Sequence, residues 1–327
     1  MPQVALDKAT IDYRVFGPED SPHPPVVFVH GILVDSRLWD RVAEGLARQG
    51  FRCYLPNWPL GSHTIPVNDP DTLSPSGVAT MIHDFIAALG LSDVTLVGND
   101  TGGGLCQLVI DAYPDQIGRL VLTNCDAFDK FPPFPFTVVF ALLRGPVSIK
   151  LLFEQMRIKA LRHSPLGFGL LVDPDPQLTA SWLEPGRTDA RIRRDLATLL
   201  RNVANTDLTD VATRLGRFTK PVTIVWGQRD RCFTPALGRP DRIRLSANPR
   251  DRLDTVVSSA TCRTCARCID RRSSGVGQLS RVPVMTVANW SGACTGLPEV
   301  IVVAGCRWQP AVTRELAGVG RGLPQSP

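Results

Sequence analysis

The residues with the clearest chemical potential lie in one glycine-rich stretch, residues 98–104, which has the sequence Gly-Asn-Asp-Thr-Gly-Gly-Gly. Asp100 is its ionisable residue, and glycines stand two positions before it and two positions after it. A carboxylate is a poor nucleophile toward amides, but it can attack a saturated carbon that bears a leaving group. Such an attack would leave an ester on the aspartate, and water would then hydrolyse that ester at the aspartate's own carbonyl carbon.

The elements around Asp100 must hold it in position. Apolar residues 94–97 predict a buried strand, and the apolar spacing of residues 105–112 predicts a helix. Asp100 therefore lies on a tight strand-to-helix turn, in which glycines leave room for the neighbouring backbone. The turn projects the side chain beyond the end of a sheet, beside the positive end of a helix. This is the geometry of the nucleophile elbow, G-x-S-x-G, with aspartate in place of serine.

Strand and helix patterns alternate along residues 8–130, which indicates a mostly parallel sheet with right-handed crossovers. Apolar residues 26–29 predict a strand that is covered on both faces, and His30 follows it, next to a glycine. Functional residues of such sheets lie beyond the carboxyl ends of the strands. We therefore expect His30, Asp100 and Asp126, which all follow predicted strands, to lie at one edge of the sheet.

The alternation stops at residue 131, and residues 131–217 show only helical patterns. A strand pattern returns at residues 222–226. We predict an α/β fold with a mostly parallel, doubly wound sheet. Its parts are a first core segment (1–130), an inserted helical cap (131–217), a core segment with the penultimate strand and acid loop (218–238), and an atypical tail (239–327). The C-terminal part of the core is expected to be missing or irregular, because the tail has one strand pattern, at residues 300–304.

The glycine-flanked Asp100 and the His-Gly pair after the earlier strand make residues 8–238 resemble the α/β-hydrolase family. The resemblance is to the aspartate-nucleophile branch, which holds haloalkane dehalogenases and epoxide hydrolases. It implies a hydrolase that forms an ester at Asp100 and acts on a small, largely apolar substrate. It also implies an oxyanion hole formed by the backbone N–H groups of Ile32 and Thr101.

The other residues of such a site are present only in part. The acid that orients a catalytic histidine would be Asp230, after the penultimate strand, or Asp126, and the sequence does not choose between them. The family places that histidine after the last strand, but all five histidines, at positions 23, 30, 63, 83 and 163, precede Asp230. Trp182 and His30 are the candidates for contact with the substrate. The alternative for Trp182 is packing, and the alternative for His30 is a structural role.

Two classes of function stay open. Thr101 stands where dehalogenases of this branch carry a halide-binding tryptophan, and the three tyrosines, at positions 13, 54 and 113, lie outside the cap, where epoxide hydrolases carry theirs. We therefore predict a hydrolase for a carbon–halide, epoxide or ester bond. The alternative is a non-catalytic homologue that binds a small molecule or a partner, because the catalytic histidine is absent.

The tail, residues 239–327, has an unusual composition. It contains 13 arginines and 6 acidic residues, and it has no lysine, histidine, phenylalanine or tyrosine. This composition is typical of a GC-rich gene translated out of frame, so we hypothesise a frameshift product or an unrelated replacement. The alternative is a genuine disordered or divergent tail. Although the tail is basic, we expect no nucleic-acid partner, because stacking residues of the phenylalanine or tyrosine type are missing.

Other sequence features bound the class of protein. Cys262, Cys265 and Cys268 match part of an iron–sulfur motif, but no histidine or second C-x-x-C completes a site. The elbow lacks the G-x-G-x-x-G of a dinucleotide site, so we predict neither a metal nor another cofactor. The hydrophobic fraction of 43% is ordinary for a globular protein. Residues 1–4 lack the features of a secretory signal, and no apolar run could span a bilayer, so we expect a cytoplasmic protein.

Overall fold

The structure is a computed structural model, and it describes residues 1–126, 136–170, 175–206, 208–227, 230, 232–233 and 253–258. A sheet of eight described strands forms its centre, in the order β1-β2-β4-β3-β5-β6-β7-β8. The strands are β1 (Gln3–Ala5), β2 (Thr10–Phe16), β3 (Val26–Val29), β4 (Cys53–Pro56), β5 (Val94–Asp100), β6 (Ile117–Cys125), β7 (Val222–Gly227) and β8 (Leu253–Ser258). The pairs from β4 to β8 are parallel, and β1 and β2 pair antiparallel at one edge. The predicted mostly parallel, doubly wound sheet is confirmed.

Helices cover both faces of the sheet. The described α-helices are α1 (Asp40–Ala47), α2 (Pro75–Ala88), α3 (Thr101–Ala112), α4 (Phe136–Leu142), α5 (Pro146–Gln155), α6 (Lys159–Arg162), α7 (Pro176–Thr188), α8 (Ala190–Val203) and α9 (Thr209–Arg214). On β3, Val26 and Phe28 pack in the core cluster of α1, whereas Val27 and Val29 pack in the larger cluster with α2 and α3. Every residue of β3 is therefore buried, because side chains alternate between two covered faces.

Only helices occur among the described residues between β6 and β7, as predicted. We call described residues 136–217 the helical insert. The helical patterns of the sequence cover residues 147–161, 189–203 and 208–215. They therefore missed α4, which follows a proline-rich segment, and α7, which contains Pro185. At the C-terminal end of α7, after this proline, the Arg193 guanidinium donates to the carbonyl groups of Gly186 and Arg187, at 2.8 and 3.0 Å. Among the described residues, no helix is long and apolar enough to cross a membrane.

The sheet extends further than the sequence patterns predict. β8 lies within the segment predicted as an atypical tail, and its six residues pair in parallel with β7. The prediction that 300–304 is the tail's only strand was therefore wrong. Residues 300–304, the cysteine motif at 262–268 and most of the tail lie outside the described residues. The boundaries near residues 130 and 238 and the frameshift hypothesis consequently stay predictions.

Candidate functional site

Asp100 ends β5 and directly precedes α3. Its backbone has φ 54° and ψ −135°, a region that non-glycine residues rarely occupy and that costs about 1–3 kcal/mol. The pairing of β5 with β6 is irregular at this point, between Asn99 and Asp100. The chain therefore turns sharply from strand to helix at Asp100, as the elbow motif predicts. The packing of the surrounding backbone keeps Asp100 in this strained conformation.

Glycines make this packing possible. A Cβ atom on Gly102 would lie 2.3 Å from the carbonyl oxygen of Val29, and one on Gly98 would lie 2.7 Å from that of Gly102. A Cβ atom on Gly31 would lie 2.0 Å from a carboxylate oxygen of Asp100. Because these distances are far below van der Waals contact, any larger residue would displace the elbow or its nucleophile.

The Asp100 carboxylate lies in the predicted oxyanion hole. It accepts hydrogen bonds from the backbone N–H groups of Thr101 and Ile32. Burial raises the pKa of Asp100 to about 7; the negative charge of Asp230 also raises it, and the two N–H groups offset part of the shift. The structure thus brings together the three residues that the sequence assigned to the nucleophile and the hole.

Asp126 follows β6 and lies beside Asp100. Its backbone N–H donates to the carbonyl oxygen of Asp100 at 3.3 Å. The side chain is completely buried, and neither carboxyl oxygen has a hydrogen-bond partner among the described residues. Burial raises the pKa of Asp126 well above its ordinary value, the charge of Asp100 raises it further, and the Thr101 hydroxyl offsets part of the shift.

Asp230 follows β7, and its carboxylate is fully engaged. One oxygen accepts the backbone N–H groups of Cys232 and Phe233, at 2.8 and 2.6 Å, and the other accepts the Asn124 side-chain amide. Burial raises the pKa of Asp230, and these three donors offset part of the shift. Asn124 and Cys232 were not predicted as site residues, and the signal that could have found them is that each stands two positions from one of the two acids.

An apolar cavity opens above Asp100. The space between its lining residues is about 590 Å³, part of which is open to solvent. The helical insert supplies most of the wall, so α4, which the sequence patterns missed, is a major part of the site. The lining consists of Ile32, Leu33, Asp100, Thr101, Asp126, Phe136, Val139, Phe140, Leu143, Leu152, Met156, Leu166, Gly167 and Phe168.

No histidine lines this cavity, although the structure describes all five. Each is engaged elsewhere: His23 stacks on Phe51, His30 binds Trp58, His63 contacts Asp195, His83 stacks on Tyr113 and His163 contacts Thr179. Asp126 and Asp230 therefore have no histidine to orient. Among the described residues, no group of three or more histidine, cysteine or acidic side chains is arranged to hold a metal ion.

The two residues predicted to contact the substrate lie outside the cavity lining. The indole N–H of Trp182 donates to the Asp35 carboxylate at 3.0 Å, and its ring packs near Phe168. This bond ties α7 of the insert to the loop after Ile32. His30 donates from Nδ1 to the carbonyl of Gly31, and its Nε2 accepts a hydrogen bond from the backbone N–H of Trp58, each at 2.9 Å. Both side chains therefore have structural roles in this geometry. The sequence had left these roles open as alternatives to contact with the substrate.

We expect His30 to make the protein less stable in acid. Burial lowers the pKa of His30 from 6.5 to about 4. The unfolded chain therefore binds a proton below pH 6.5 that the folded chain binds only below pH 4, so stability is lost as pH falls. Between pH 7 and pH 4 the free energy of unfolding should fall by about 3 kcal/mol more than in a His30→Gln variant. Urea unfolding of both proteins across this range measures the difference, and parallel curves would contradict the assignment.

Comparison with known proteins supports the architecture. A model of the alpha/beta hydrolase fold matches residues 24–164. The chain is 28% identical over 218 residues to a 2-hydroxy-6-oxononadienedioate/2-hydroxy-6-oxononatrienedioate hydrolase from Dechloromonas aromatica (strain RCB), which covers 64% of this chain and 71% of that protein. A hydrolase from Pseudomonas aeruginosa PA01 has a similar structure, with a TM-score of 0.60, 20% identity, and coverage of 80% of this chain and 90% of that chain. A putative ancestral haloalkane dehalogenase also has a TM-score of 0.60, with 21% identity and coverage of 79% and 90%.

Proposed function

We propose that this chain, which has the α/β-hydrolase fold, is a hydrolase that attacks small, largely apolar substrates with the carboxylate of Asp100. One observation carries the proposal. The carboxylate lies on a strained elbow at an apolar cavity and accepts hydrogen bonds from the backbone N–H groups of Thr101 and Ile32. An aspartate that merely capped a helix would need neither the strained backbone nor the opening toward a cavity.

The geometry suits a two-step reaction. In the first step, one oxygen of Asp100 attacks a saturated carbon of the substrate, and the bond to the leaving group breaks. The product of this step is an ester of Asp100, whose carbonyl oxygen can keep the hydrogen bonds from Thr101 and Ile32. In the second step, water attacks that carbonyl carbon. Negative charge then develops on the carbonyl oxygen, where the two N–H groups stabilise it.

The cavity favours an uncharged substrate. Its described polar lining consists of Asp100, Thr101 and Asp126, and none of the described lining residues is an arginine, lysine or histidine. The relative from Dechloromonas aromatica is named for the hydrolysis of a dienedioate, which carries two carboxylates. Two carboxylates would be repelled by Asp100 and would find no cation among the described lining residues. We therefore propose a carbon–halide, epoxide or ester bond in a neutral molecule.

A non-catalytic homologue is the second candidate, and one observation favours it. All five histidines are engaged away from the cavity, so no histidine is available to activate water for the second step. In that case the cavity would bind a small molecule without turnover. A partly impaired enzyme would instead form the ester and release it slowly.

Mass spectrometry of the Asp100 peptide separates these possibilities. The full chain is incubated in heavy-oxygen water with styrene oxide or with phenethyl bromide, two apolar probes with the same carbon skeleton. We expect an ester on Asp100 with at least one probe, followed by heavy oxygen in the Asp100 carboxylate as the ester is hydrolysed. Heavy oxygen in the product alone would contradict an ester intermediate. Binding without adduct or turnover would favour the non-catalytic homologue.

A further inference from the structure

Asp126 has the least compensated carboxyl group in the site. It is completely buried and lines the cavity, and within the described part of the chain its oxygens have the Thr101 hydroxyl nearby but no well-aligned hydrogen bond. Asp230, by contrast, has three donors, and Asp100 has two. A buried carboxyl group without partners is costly unless it is neutral. The position of Asp126 therefore favours a protonated acid.

The described surroundings of Asp126 supply like charge, and they include no compensating cation. Among the described residues, the titratable groups that interact with it are Asp100 and Cys232, and no basic side chain belongs to the described lining of the cavity. Two neighbouring carboxyl groups of this kind share one proton near neutral pH. That proton belongs mainly on Asp126, because Asp100 keeps two N–H donors that stabilise its negative charge. The site therefore combines an ionised nucleophile with a neutral acid.

We infer that Asp126 acts as general acid and then as general base for the reaction at Asp100, and that the substrate is an epoxide or a similar neutral molecule whose leaving oxygen needs a proton. The inference rests on the proposed ester intermediate. It assigns to Asp126 the proton transfers that no histidine of this chain can perform. Asp126 is then a catalytic residue in its own right, and its role is no longer to orient a histidine.

Asp100 and Asp126 together account for every proton that is transferred in the cycle. Asp100 attacks one epoxide carbon, the bond from that carbon to oxygen breaks, and Asp126 gives its proton to the oxygen. The product is a hydroxyalkyl ester of Asp100 beside an Asp126 carboxylate. Asp126 then takes a proton from the water that attacks the ester carbonyl, and it returns that proton to the departing alcohol oxygen. Asp100 is left as a carboxylic acid and passes its proton to Asp126, so the net reaction adds water to the epoxide.

The same arrangement disfavours a halide as leaving group. A halide ion needs no proton, and it would depart as an anion into a cavity that already holds the Asp100 and Asp126 carboxyl groups. The described lining offers no indole N–H or cation to receive it, because Trp182 donates to Asp35 instead. An alkoxide oxygen, in contrast, is neutralised at once by the proton of Asp126.

The matched probes test Asp126 directly. In an Asp126→Asn variant, the rate of adduct formation on Asp100 from styrene oxide should fall by roughly 10²-fold or more. The rate from phenethyl bromide should change by no more than a few-fold, since its leaving group needs no proton. In wild type, the styrene oxide rate should rise as pH increases toward the Asp100 pKa of about 7 and fall at higher pH as Asp126 ionises. The bromide rate should rise and then stay level.

A second variant distinguishes the loss of the Asp126 acid from a folding defect. Asp126→Ala leaves room for a small acid, so added formate should restore adduct formation from styrene oxide and have no effect on the bromide reaction. Equal losses with both probes, or no loss with either, would overturn the role of Asp126 while the Asp100 ester stands. The absence of any adduct in the wild-type protein would overturn both this inference and the proposed function.

Discussion

Replacing Asp100 with asparagine should abolish ester formation and lower turnover by roughly 10⁴-fold or more. The amide has no charge with which to attack carbon, and loss of a nucleophile usually removes nearly all of the rate enhancement that the group of catalytic residues supplies together. Mass spectrometry of the residue 100 peptide after incubation with styrene oxide and phenethyl bromide measures the effect. An adduct at that peptide in the Asp100→Asn protein would mean that another side chain is the nucleophile.

The same substitution should leave the fold intact, which separates it from a general defect. The amide oxygen of asparagine can still accept the N–H groups of Thr101 and Ile32. The variant also removes a charge that burial and Asp230 destabilise, since together they raise the pKa of Asp100 to about 7. The cost of the charge therefore grows as pH rises from the ordinary pKa of 3.8 to about 7, and it is present in full above pH 7. We expect the variant to have a melting temperature at pH 8 equal to or above that of wild type, and a clear decrease would contradict this account of the charge.

Replacing Gly102 with alanine should have the largest effect on stability. The new Cβ atom would lie 2.3 Å from the carbonyl oxygen of Val29 and 2.6 Å from that of His30. These are backbone atoms of β3 and its extension, so neither can rotate away, and α3 would have to move off the sheet. We expect the free energy of unfolding to fall by roughly 3 kcal/mol or more, with loss of adduct formation at Asp100. Urea denaturation of the full chain measures the change.

Gly145 provides the matched control. It precedes α5 with extended backbone angles, φ −152° and ψ 164°, and a Cβ atom there would meet nothing within 4 Å. A Gly145→Ala variant should therefore change the free energy of unfolding by less than about 1 kcal/mol. If the two alanine variants lost similar stability, the close approach of α3 to β3 would not be what requires glycine at position 102.

Much of the fold follows from local patterns. The buried strand before Asp100, the glycines around it and the helix after it are neighbours in sequence, so their periodicity and turn chemistry suffice to predict β5, the elbow and α3. The helices α4 and α7 were missed for a local reason as well. A proline-rich segment precedes α4, and Pro185 lies within α7. Prolines usually mark helix ends, and here the packing of the insert overrides that preference.

The described strand that follows β7 could not be predicted in this way. β8 is six residues long and lies in a segment whose composition suggested no core structure. Its place in the sheet depends on pairing with β7, about thirty residues earlier in the chain. Pairing over such a distance leaves little trace in local periodicity, because a strand's register is decided by its partner.

The sequence by itself determined the candidate nucleophile, Asp100, its glycine-rich backbone environment and the absence of any histidine after Asp230, because these depend on residue identity and short spacing. Only the tertiary structure decided what the two other acids do. Asp230 is held by Asn124, Cys232 and Phe233, whereas Asp126 lines the cavity with no well-aligned hydrogen bond to any residue that the structure describes. Likewise, the indole of Trp182 binds Asp35, 147 residues away. Burial, charge proximity and hydrogen-bond partners arise from contacts between distant segments, and the order of residues along a chain does not encode them locally.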